Sequence, residues 1–186
     1  NMPWDGTELW VADLDRSGAV IAPQQVAGGI AESIFQPEWS PDGMLYFVSD
    51  QTGWWNLYRW RAGLRPIEPL CPMNAEFGTP SWSFRAATYA FESSERIVCA
   101  FKEKGHWQLA TLDTTTLRLE RIALPYTEID SVQAATGRIV CVAGSPTEAA
   151  AIILFDLAAQ KFSVLQKSSH VTVDEGYLSI PQAIEF

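Results

Sequence analysis

A few short stretches carry the residue types that nucleophilic or acid–base chemistry would need. The chain has two histidines, His106 and His170, and its nearest string to a Gly-x-Ser-x-Gly nucleophile elbow is Gly144-Ser145-Pro146. Both histidines are predicted to lie in solvent-facing loops, one at the hairpin turn Lys104-Gly105-His106 and one in the C-terminal tail. Gly144-Ser145-Pro146 is better explained as a turn that follows a strand. We therefore predict no catalytic residues, and the chain is not expected to be an enzyme by itself.

A calcium loop is the second candidate for chemistry. Asp13-Leu14-Asp15-Arg16-Ser17-Gly18 matches the first half of the pattern Asp-x-Asp-x-Ser-Gly, but Gln24 stands at the twelfth position, where a bidentate Glu would be needed. The stretch falls between two predicted strands. A hairpin turn, in which Asp bonds locally and Gly adopts positive φ, is therefore favoured. The sequence predicts no metal site and no cofactor.

A cluster of aromatic residues could form a platform on which a ligand stacks. Trp54, Trp55, Tyr58 and Trp60 stand close together in the sequence. In a strand these residues alternate faces, and packing between neighbouring sheets uses such side chains, so a place in the core is favoured. The ligand platform stays open as the second interpretation, and substrate-binding residues are unknown at this stage.

One type of strand recurs along the chain, and most of the residues considered above lie on these strands or next to them. The four copies begin at Leu9, Leu57, Leu109 and Ile153, in steps of 48, 52 and 44 residues. A second strand precedes the last three copies, at Met44–Asp50, Arg96–Lys102 and Arg138–Gly144. A short outer strand follows each copy, at Val20–Val26, Leu64–Leu70, Leu117–Leu124 and Phe162–Gln166. A repeat of this length built only of strands is typical of the blades of a β-propeller.

The strand that opens a blade is predicted from a Pro-x-Trp-Ser pattern. This pattern occurs at Pro37–Ser40 and Pro80–Ser83, and the third copy has changed to Asp130-Ser131-Val132. The predicted units are a partial blade over 7–27, full blades over 34–70, 77–124 and 129–168, and a tail or linker over 169–186. We therefore predict an all-β fold, in which residues 1–168 form a partial β-propeller of about three and a half four-stranded blades. A closed propeller typically has ~4–8 blades.

Composition and charge exclude several classes of function. The chain has 22 acidic and 13 basic residues, a net charge of −9, so binding of nucleic acid is not expected. No window approaches the ~18 uninterrupted apolar residues of a membrane helix, so no membrane partner is expected. Cys71, Cys99 and Cys141 are odd in number, and the last two lie in apolar strands at matched positions. Buried free thiols and a cytoplasmic location are the favoured interpretation.

Three stretches of the chain resemble the propeller of the prolyl oligopeptidase family. They are Asn-Met-Pro-Trp-Asp-Gly-Thr-Glu-Leu-Trp at 1–10, the segment 37–58 with Pro-Glu-Trp-Ser-Pro-Asp-Gly at its start, and Tyr-Leu-Ser-Ile-Pro-Gln-Ala-Ile-Glu-Phe at 177–186. The most similar branch is that of bacterial acylaminoacyl-peptidases and dipeptidyl aminopeptidases. The first stretch resembles the end of a Trp-x-His-Pro-Asn-Met-Pro-Trp-Asp run in that branch. The last resembles the segment that leads from propeller to hydrolase domain.

The resemblance implies a function that depends on a domain outside this sequence. In the family a Ser–Asp–His triad lies on an α/β-hydrolase domain, and the propeller caps that active site and restricts access to short peptides. We therefore expect a non-catalytic propeller segment of a serine peptidase. Its expected partners are the hydrolase domain of the same parent chain and, in the parent, peptide substrates.

Two further expectations concern assembly and the alternative functions. An incomplete propeller leaves its terminal blades uncovered, so we expect self-association through these blades. The alternative function is a free-standing Tol-type propeller that binds other proteins. A degenerate remnant of a peptidase, without present activity, is the third possibility.

Overall fold

The computed structural model describes residues 2–63, 66–80, 82, 86–171, 173–182 and 184. The regular structure of this part is almost entirely antiparallel strands, which are listed next. They are β1 (Glu8–Leu14), β2 (Val20–Gly28), β3 (Ile34–Trp39), β4 (Leu45–Ser49), β5 (Asn56–Trp60), β6 (Glu68–Pro69), β7 (Tyr89–Ser93), β8 (Arg96–Glu103), β9 (His106–Asp113), β10 (Leu119–Ile122), β11 (Glu128–Ala135), β12 (Arg138–Ser145), β13 (Glu148–Asp156) and β14 (Lys161–Lys167). A single-turn 3-10 helix, Glu175–Tyr177, lies in the tail. Within the described ranges no helix has the length and apolar character needed to cross a membrane.

The strands form four sheets, each from consecutive strands of the chain. Sheet 1 contains β1 and β2, sheet 2 contains β3 to β6, sheet 3 contains β7 to β10, and sheet 4 contains β11 to β14. Within each sheet the order follows the sequence, so every connection is a hairpin. One two-stranded and three four-stranded sheets confirm the predicted fold class, an all-β partial propeller of about three and a half blades.

The first strands of sheets 2 and 3 are tied together by Gln36. This residue lies in a bulge of β3 and has a φ of 47°. Its side-chain oxygen accepts a hydrogen bond from Thr88 N at 2.8 Å, and its side-chain nitrogen donates to Tyr89 O at 2.8 Å. The Tyr89 hydroxyl in turn donates to Gln36 O at 2.8 Å. The strand that opens sheet 2 therefore lies beside the strand that opens sheet 3.

Sheet 4 repeats this arrangement without the glutamine. Ser131 has a φ of 54° in a bulge of β11. The next residue, Val132, donates its backbone N–H to Ala87 O at 2.9 Å, just before β7 begins. The first strands of sheets 2, 3 and 4 thus line the same inner side of the molecule.

An apolar layer fills each of the three spaces between sheets. All five residues of β4 are buried, and their side chains alternate in direction because successive residues of a strand point to opposite faces. Leu45 and Phe47 pack towards sheet 1, whereas Tyr46 and Val48 pack towards sheet 3. This two-sided burial explains why the second strand of each four-stranded sheet, β4, β8 or β12, contains an uninterrupted apolar run.

The pairing of strands corrects the alignment of the fourth repeat by one residue. Val48 pairs with Leu57, and Ala100 pairs with Leu109. In sheet 4 the residue at this position is Ile152, which pairs with Val142, rather than the predicted Ile153. Ile153 packs towards sheet 3 instead. Both residues are isoleucine, so the apolar pattern alone could not distinguish the two alignments.

The Pro-x-Trp-Ser pattern and its changed copy predict the opening strand correctly in two of three cases. The changed copy, Asp130-Ser131-Val132, lies within β11, the first strand of sheet 4. Pro37–Trp39 lies within β3, but Pro80 and Trp82 lie outside any strand, and the first strand of sheet 3 begins at Tyr89. Ser81 and Ser83 lie outside the described residues. The predicted outer strand at 64–70 is shorter in the structure, where β6 contains only Glu68 and Pro69. Leu64 and Arg65 also lie outside the described residues.

Candidate functional site

The residues considered for acid–base or nucleophilic chemistry do not form a catalytic arrangement in the described part of the chain. His106 is exposed at the start of β9, and His170 is exposed beyond β14. The Ser145 hydroxyl accepts hydrogen bonds from Thr147 N at 3.3 Å and Glu148 N at 3.1 Å. It therefore closes the turn between β12 and β13. Exposed histidines and a turn at Ser145 are what the sequence predicts.

The stretch Asp13–Gly18 forms the hairpin turn between β1 and β2. Asp15 Oδ1 accepts hydrogen bonds from Ser17 N at 2.8 Å, Ser17 Oγ at 2.6 Å and Ala19 N at 3.0 Å. These bonds lower the pKa of Asp15, the bond from the Ser17 side chain most of all. Gly18 adopts the positive φ, 84°, that such a turn requires. The hairpin interpretation is confirmed, and the described residues contain no group of acidic, His and Cys side chains that could hold a metal.

The aromatic cluster of the sequence divides into two parts. Tyr58 and Trp60, which lie in β5, are buried as predicted. Trp54 and Trp55 precede β5, so the alternation expected of a strand does not apply to them. Trp54 is 38% exposed, which the core interpretation did not predict. Trp55 packs on Phe35, with ring centroids 5.8 Å apart, and also lines an open cleft.

Four tryptophans from different parts of the chain converge on that cleft, which we call the tryptophan cleft. They are Trp4, Trp55, Trp82 and Trp107, and the cleft they line has a volume of about 470 Å³. The rings of Trp4 and Trp82 form an edge-to-face pair with centroids 5.3 Å apart. Half of the chain's eight tryptophans therefore line one surface depression.

The connection between β6 and β7 builds one wall of the cleft. Glu76 pairs with Lys102 at the end of β8 through two backbone hydrogen bonds of 2.9 Å. The Glu76 carboxylate accepts a hydrogen bond from Trp55 N at 2.9 Å, and Phe77 N donates to Trp55 O at 2.7 Å. This connection is thereby joined to both sheet 2 and sheet 3, and it holds Trp55 at their junction.

Gly78 allows the ring of Trp55 to lie directly on the backbone. A Cβ atom at this position would stand 1.7 Å from Cε3 of Trp55, a distance at which one of the two groups must move. Lys102 Nζ, which also lines the cleft, lies 5.9 Å from the ring centroid of Trp107, within the range of a cation–π contact. The cleft thus combines indole faces with one carboxylate and one ammonium group.

The cleft opens at the end of the sheets where their first strands begin. Because neighbouring strands are antiparallel, this end also carries the turns between β4 and β5 and between β8 and β9, and β14 ends here at Lys167. The tail leaves from the same end. Its residues Ile180 and Pro181 lie beside His106 and Ser145 around a second hollow. The tryptophan cleft and the tail therefore share one face of the molecule.

The sequence contained a signal for this cleft that our interpretation missed. Trp55 and Trp107 each stand two residues before the repeated leucine, Leu57 or Leu109, so they occupy matched places in neighbouring blades. Matched tryptophans at a turn indicate a shared surface. Trp4 and Trp82 carry no such signal, because they lie outside the strands that define the repeat.

Comparison with known proteins relates this fold to one group of enzymes. No protein-family model and no curated protein matches the chain. Among solved structures, a puromycin-hydrolyzing peptidase of Mycobacterium tuberculosis is 31% identical over 98% of this chain and 28% of its own, with a TM-score of 0.91. A puromycin hydrolase is 32% identical over 97% of this chain and 27% of its own, with a TM-score of 0.86.

A more distant structure shares the fold alone. Prolyl oligopeptidase B from Galerina marginata is 15% identical over 94% of this chain and 24% of its own, with a TM-score of 0.71. These matches confirm the resemblance to the prolyl oligopeptidase family. The chain spans about a quarter of the length of the family's peptidases that it matches, and the matched part is their propeller.

Proposed function

We propose that this chain is a non-catalytic propeller segment of a prolyl oligopeptidase-type serine peptidase, which caps a hydrolase domain and admits only short peptides to its active site. The observation that carries the proposal is the match itself, which covers 98% of this chain but 28% of the first peptidase. The shared face of tail and cleft supports it as well. A segment that leads to a hydrolase domain would leave from the face that the domain covers.

The substrate class is the next part of the proposal. The structures 31–32% identical to this chain are named for their action on puromycin. We propose that the parent of this chain acts on puromycin or on short peptides, with acylaminoacyl-peptidase or dipeptidyl aminopeptidase specificity. We also propose a cytoplasmic location, which the three free cysteines support.

The first experiment tests activity of the chain alone. Because it lacks a Gly-x-Ser-x-Gly elbow, we expect no turnover of chromogenic acyl-amino-acid or dipeptide substrates and no labelling by a fluorophosphonate probe. An active serine hydrolase treated in parallel is the positive control. Stoichiometric labelling of any serine in this chain would contradict the proposal.

The second experiment tests the parent. The coding sequence that follows residue 186 should contain a Gly-x-Ser-x-Gly elbow roughly a hundred residues downstream. The full-length protein should then cleave peptides with a kcat/KM that falls steeply as the peptide becomes longer. A coding sequence without such an elbow would favour a free-standing Tol-type interaction propeller. An elbow together with equal cleavage of long and short peptides would contradict the restriction of access.

A further inference from the structure

We propose that the tryptophan cleft is a subsite that binds an aromatic side chain of the substrate. The inference rests on the proposed function, because it assumes that a peptide or aminoacyl compound reaches this face. It goes beyond that function by assigning a ligand class to specific residues. Three properties of the cleft support the assignment: its openness, its chemistry and its position.

Openness separates this cluster from the packed core. Trp82 is 73% exposed, and Trp4 and Trp107 are half-buried. Buried aromatic side chains dominate the energy of a core, and single exposed ones are common, but four that face one depression are not explained by packing among the described residues of this chain. The cleft volume of about 470 Å³ is within the range of small-molecule sites, about 300–1,000 Å³.

Gly78 is the structural reason that the cleft is open on the side of Trp55. The ring lies against the Gly78 backbone and is held there by the bonds of its own backbone to Glu76 and Phe77. A larger residue at position 78 would move the ring away from this place. The wall formed by Trp55 is thus fixed before any ligand arrives, which reduces the entropy lost on binding.

The chemistry of the lining favours a planar aromatic group over an aliphatic one. Indole rings offer faces and edges that pair with another ring in offset or edge-to-face geometry, as Trp4 and Trp82 already do. Lys102 lies over Trp107, and Glu76 bonds to Trp55, so the two charged groups border the indole surface. A ring that carries a polar substituent, as in tyrosine, fits an aromatic wall with a polar margin.

The position of the cleft determines what could supply such a ring. The cleft opens on the face from which the tail leaves, the face that we assign to the hydrolase domain. A substrate held between the two domains would therefore pass this cleft. An aromatic residue on the part of the substrate that faces the propeller is the occupant to which the proposal commits.

The experiment is a titration of the 186-residue chain with two matched small ligands. N-acetyl-L-tyrosinamide supplies the aromatic ring, and N-acetyl-L-leucinamide supplies an aliphatic side chain with the same backbone. Binding is followed by NMR through the indole N–H signals of the tryptophans, each assigned by its Trp→Leu variant. We expect a dissociation constant in roughly the millimolar range for the tyrosine ligand and about tenfold weaker binding of the leucine ligand.

Variants locate the site. Trp107→Leu and Gly78→Ala should each weaken binding of the tyrosine ligand by about tenfold, because one removes an aromatic wall and the other displaces Trp55. Trp10→Leu is the matched control, because Trp10 is an exposed tryptophan of β1 that does not line the cleft. Circular dichroism of each variant verifies the fold, so that a loss of binding is not read from an unfolded chain.

The possible outcomes separate this inference from the proposed function. Shifts of the Trp55 and Trp107 signals, with a preference for the tyrosine ligand, would support the subsite. Equal binding of the two ligands, or an unchanged dissociation constant for the tyrosine ligand in Trp107→Leu, would overturn it. Neither of those negative results would affect the assignment of the chain to a peptidase propeller, which depends on the flanking coding sequence.

Discussion

The same repeat position is buried in three sheets and exposed in the fourth. Leu9, Leu57 and Leu109 all point towards the following sheet and are buried, and Leu109 is only 1% exposed. Ile152 occupies this position in sheet 4 and is 41% exposed. The four side chains are equally apolar, so the difference comes from the neighbour. Among the described residues, sheets 1 to 3 each have a following sheet and sheet 4 has none.

The face of sheet 1 that points away from sheet 2 also carries exposed apolar side chains, at the opposite end of the row of sheets. Trp10 and Leu14, at alternate positions of β1, are exposed there, and so is Val20, which pairs with Leu14. We call this face and the Ile152 face of sheet 4 the open ends. Apolar residues at both open ends indicate that each blade has the pattern of a sheet covered on both sides. The strand pattern of a blade therefore reflects its place in a larger ring, where a sheet covers each side.

The largest expected effect is the difference in stability between a substitution buried between two sheets and one at an open end. Leu109→Ala removes buried methyl groups between sheets 3 and 4 and should lower the free energy of unfolding by about 2–5 kcal/mol. Ile152→Ala, its matched control at an open end, should cost less than about 1 kcal/mol in the monomer. Urea unfolding at low protein concentration measures both. Equal losses in the two variants would contradict the assignment of Ile152 to an uncovered face.

The sequence predicted most of the fold because the blade pattern is local. The strands β4, β8 and β12 follow from apolar runs between turns, and the period of the repeat indicates a propeller. The error of one residue at Ile153 arose because Ile152 and Ile153 are chemically identical. Only the pairing of β12 with β13 distinguishes their faces.

The candidate site was harder to predict because it depends on long-range contacts. Trp4 and Trp107 are 103 positions apart in the chain, and they share a cleft only because consecutive sheets stand side by side. The wall at Glu76–Gly78 comes from a connection without a repeat pattern, and Pro80-Ser81-Trp82-Ser83 suggested a strand where none of the described residues forms one. Local propensity carries no information about such convergence.

The second prediction concerns self-association through the open ends. Contiguous exposed apolar patches larger than a few hundred Å² are rarely left in water, so we expect a two-fold dimer in which one partial propeller covers the other. Light scattering across a dilution series should show dissociation as the concentration falls. Ile152→Glu should raise the dissociation constant by about tenfold or more, because it places a charge in the apolar contact.

A control and a contrary result sharpen this test. Ile30→Glu also adds a charge at an exposed isoleucine, but Ile30 lies in the connection between β2 and β3, outside the strands that form the open ends. It should leave the dissociation constant unchanged. A cooperatively folded monomer at every concentration would show that the ends need no cover.

The smallest expected effect compares two thiols at matched positions. Cys99 in β8 and Cys141 in β12 each face the preceding sheet, and both are buried as the sequence predicts. Burial raises the pKa of Cys99 well above its ordinary value and that of Cys141 to about 12. Thiol reagents attack the thiolate, so both should react slowly in the native protein.

Their rates should nevertheless differ, because sheet 4 has an open end and sheet 3 has a sheet on both sides. Local opening of sheet 4 needs less energy, so Cys141 should react about tenfold faster than Cys99 at pH 8. Single Cys→Ala variants assign each rate, and half-buried Cys71 should react first. Equal rates would contradict the contrast between sheets 3 and 4. A Cys99–Cys141 disulfide would contradict the blade order itself, since a disulfide needs Cα atoms within ~7 Å.

Burial of Cys141 also makes the free energy of unfolding depend on pH, in a direction that follows from its pKa. The pKa of Cys141 in the folded chain, about 12, lies above its ordinary value of 9.0. The unfolded chain therefore releases its proton first, and the stabilisation from the buried neutral thiol is complete below pH 9 and is lost as the pH rises towards 12. Cys141→Ala should flatten the fall of the free energy of unfolding over this interval, measured by urea unfolding at several pH values. If the free energy of unfolding of Cys141→Ala fell as steeply with pH as that of the unsubstituted chain, Cys141 would not be the group responsible.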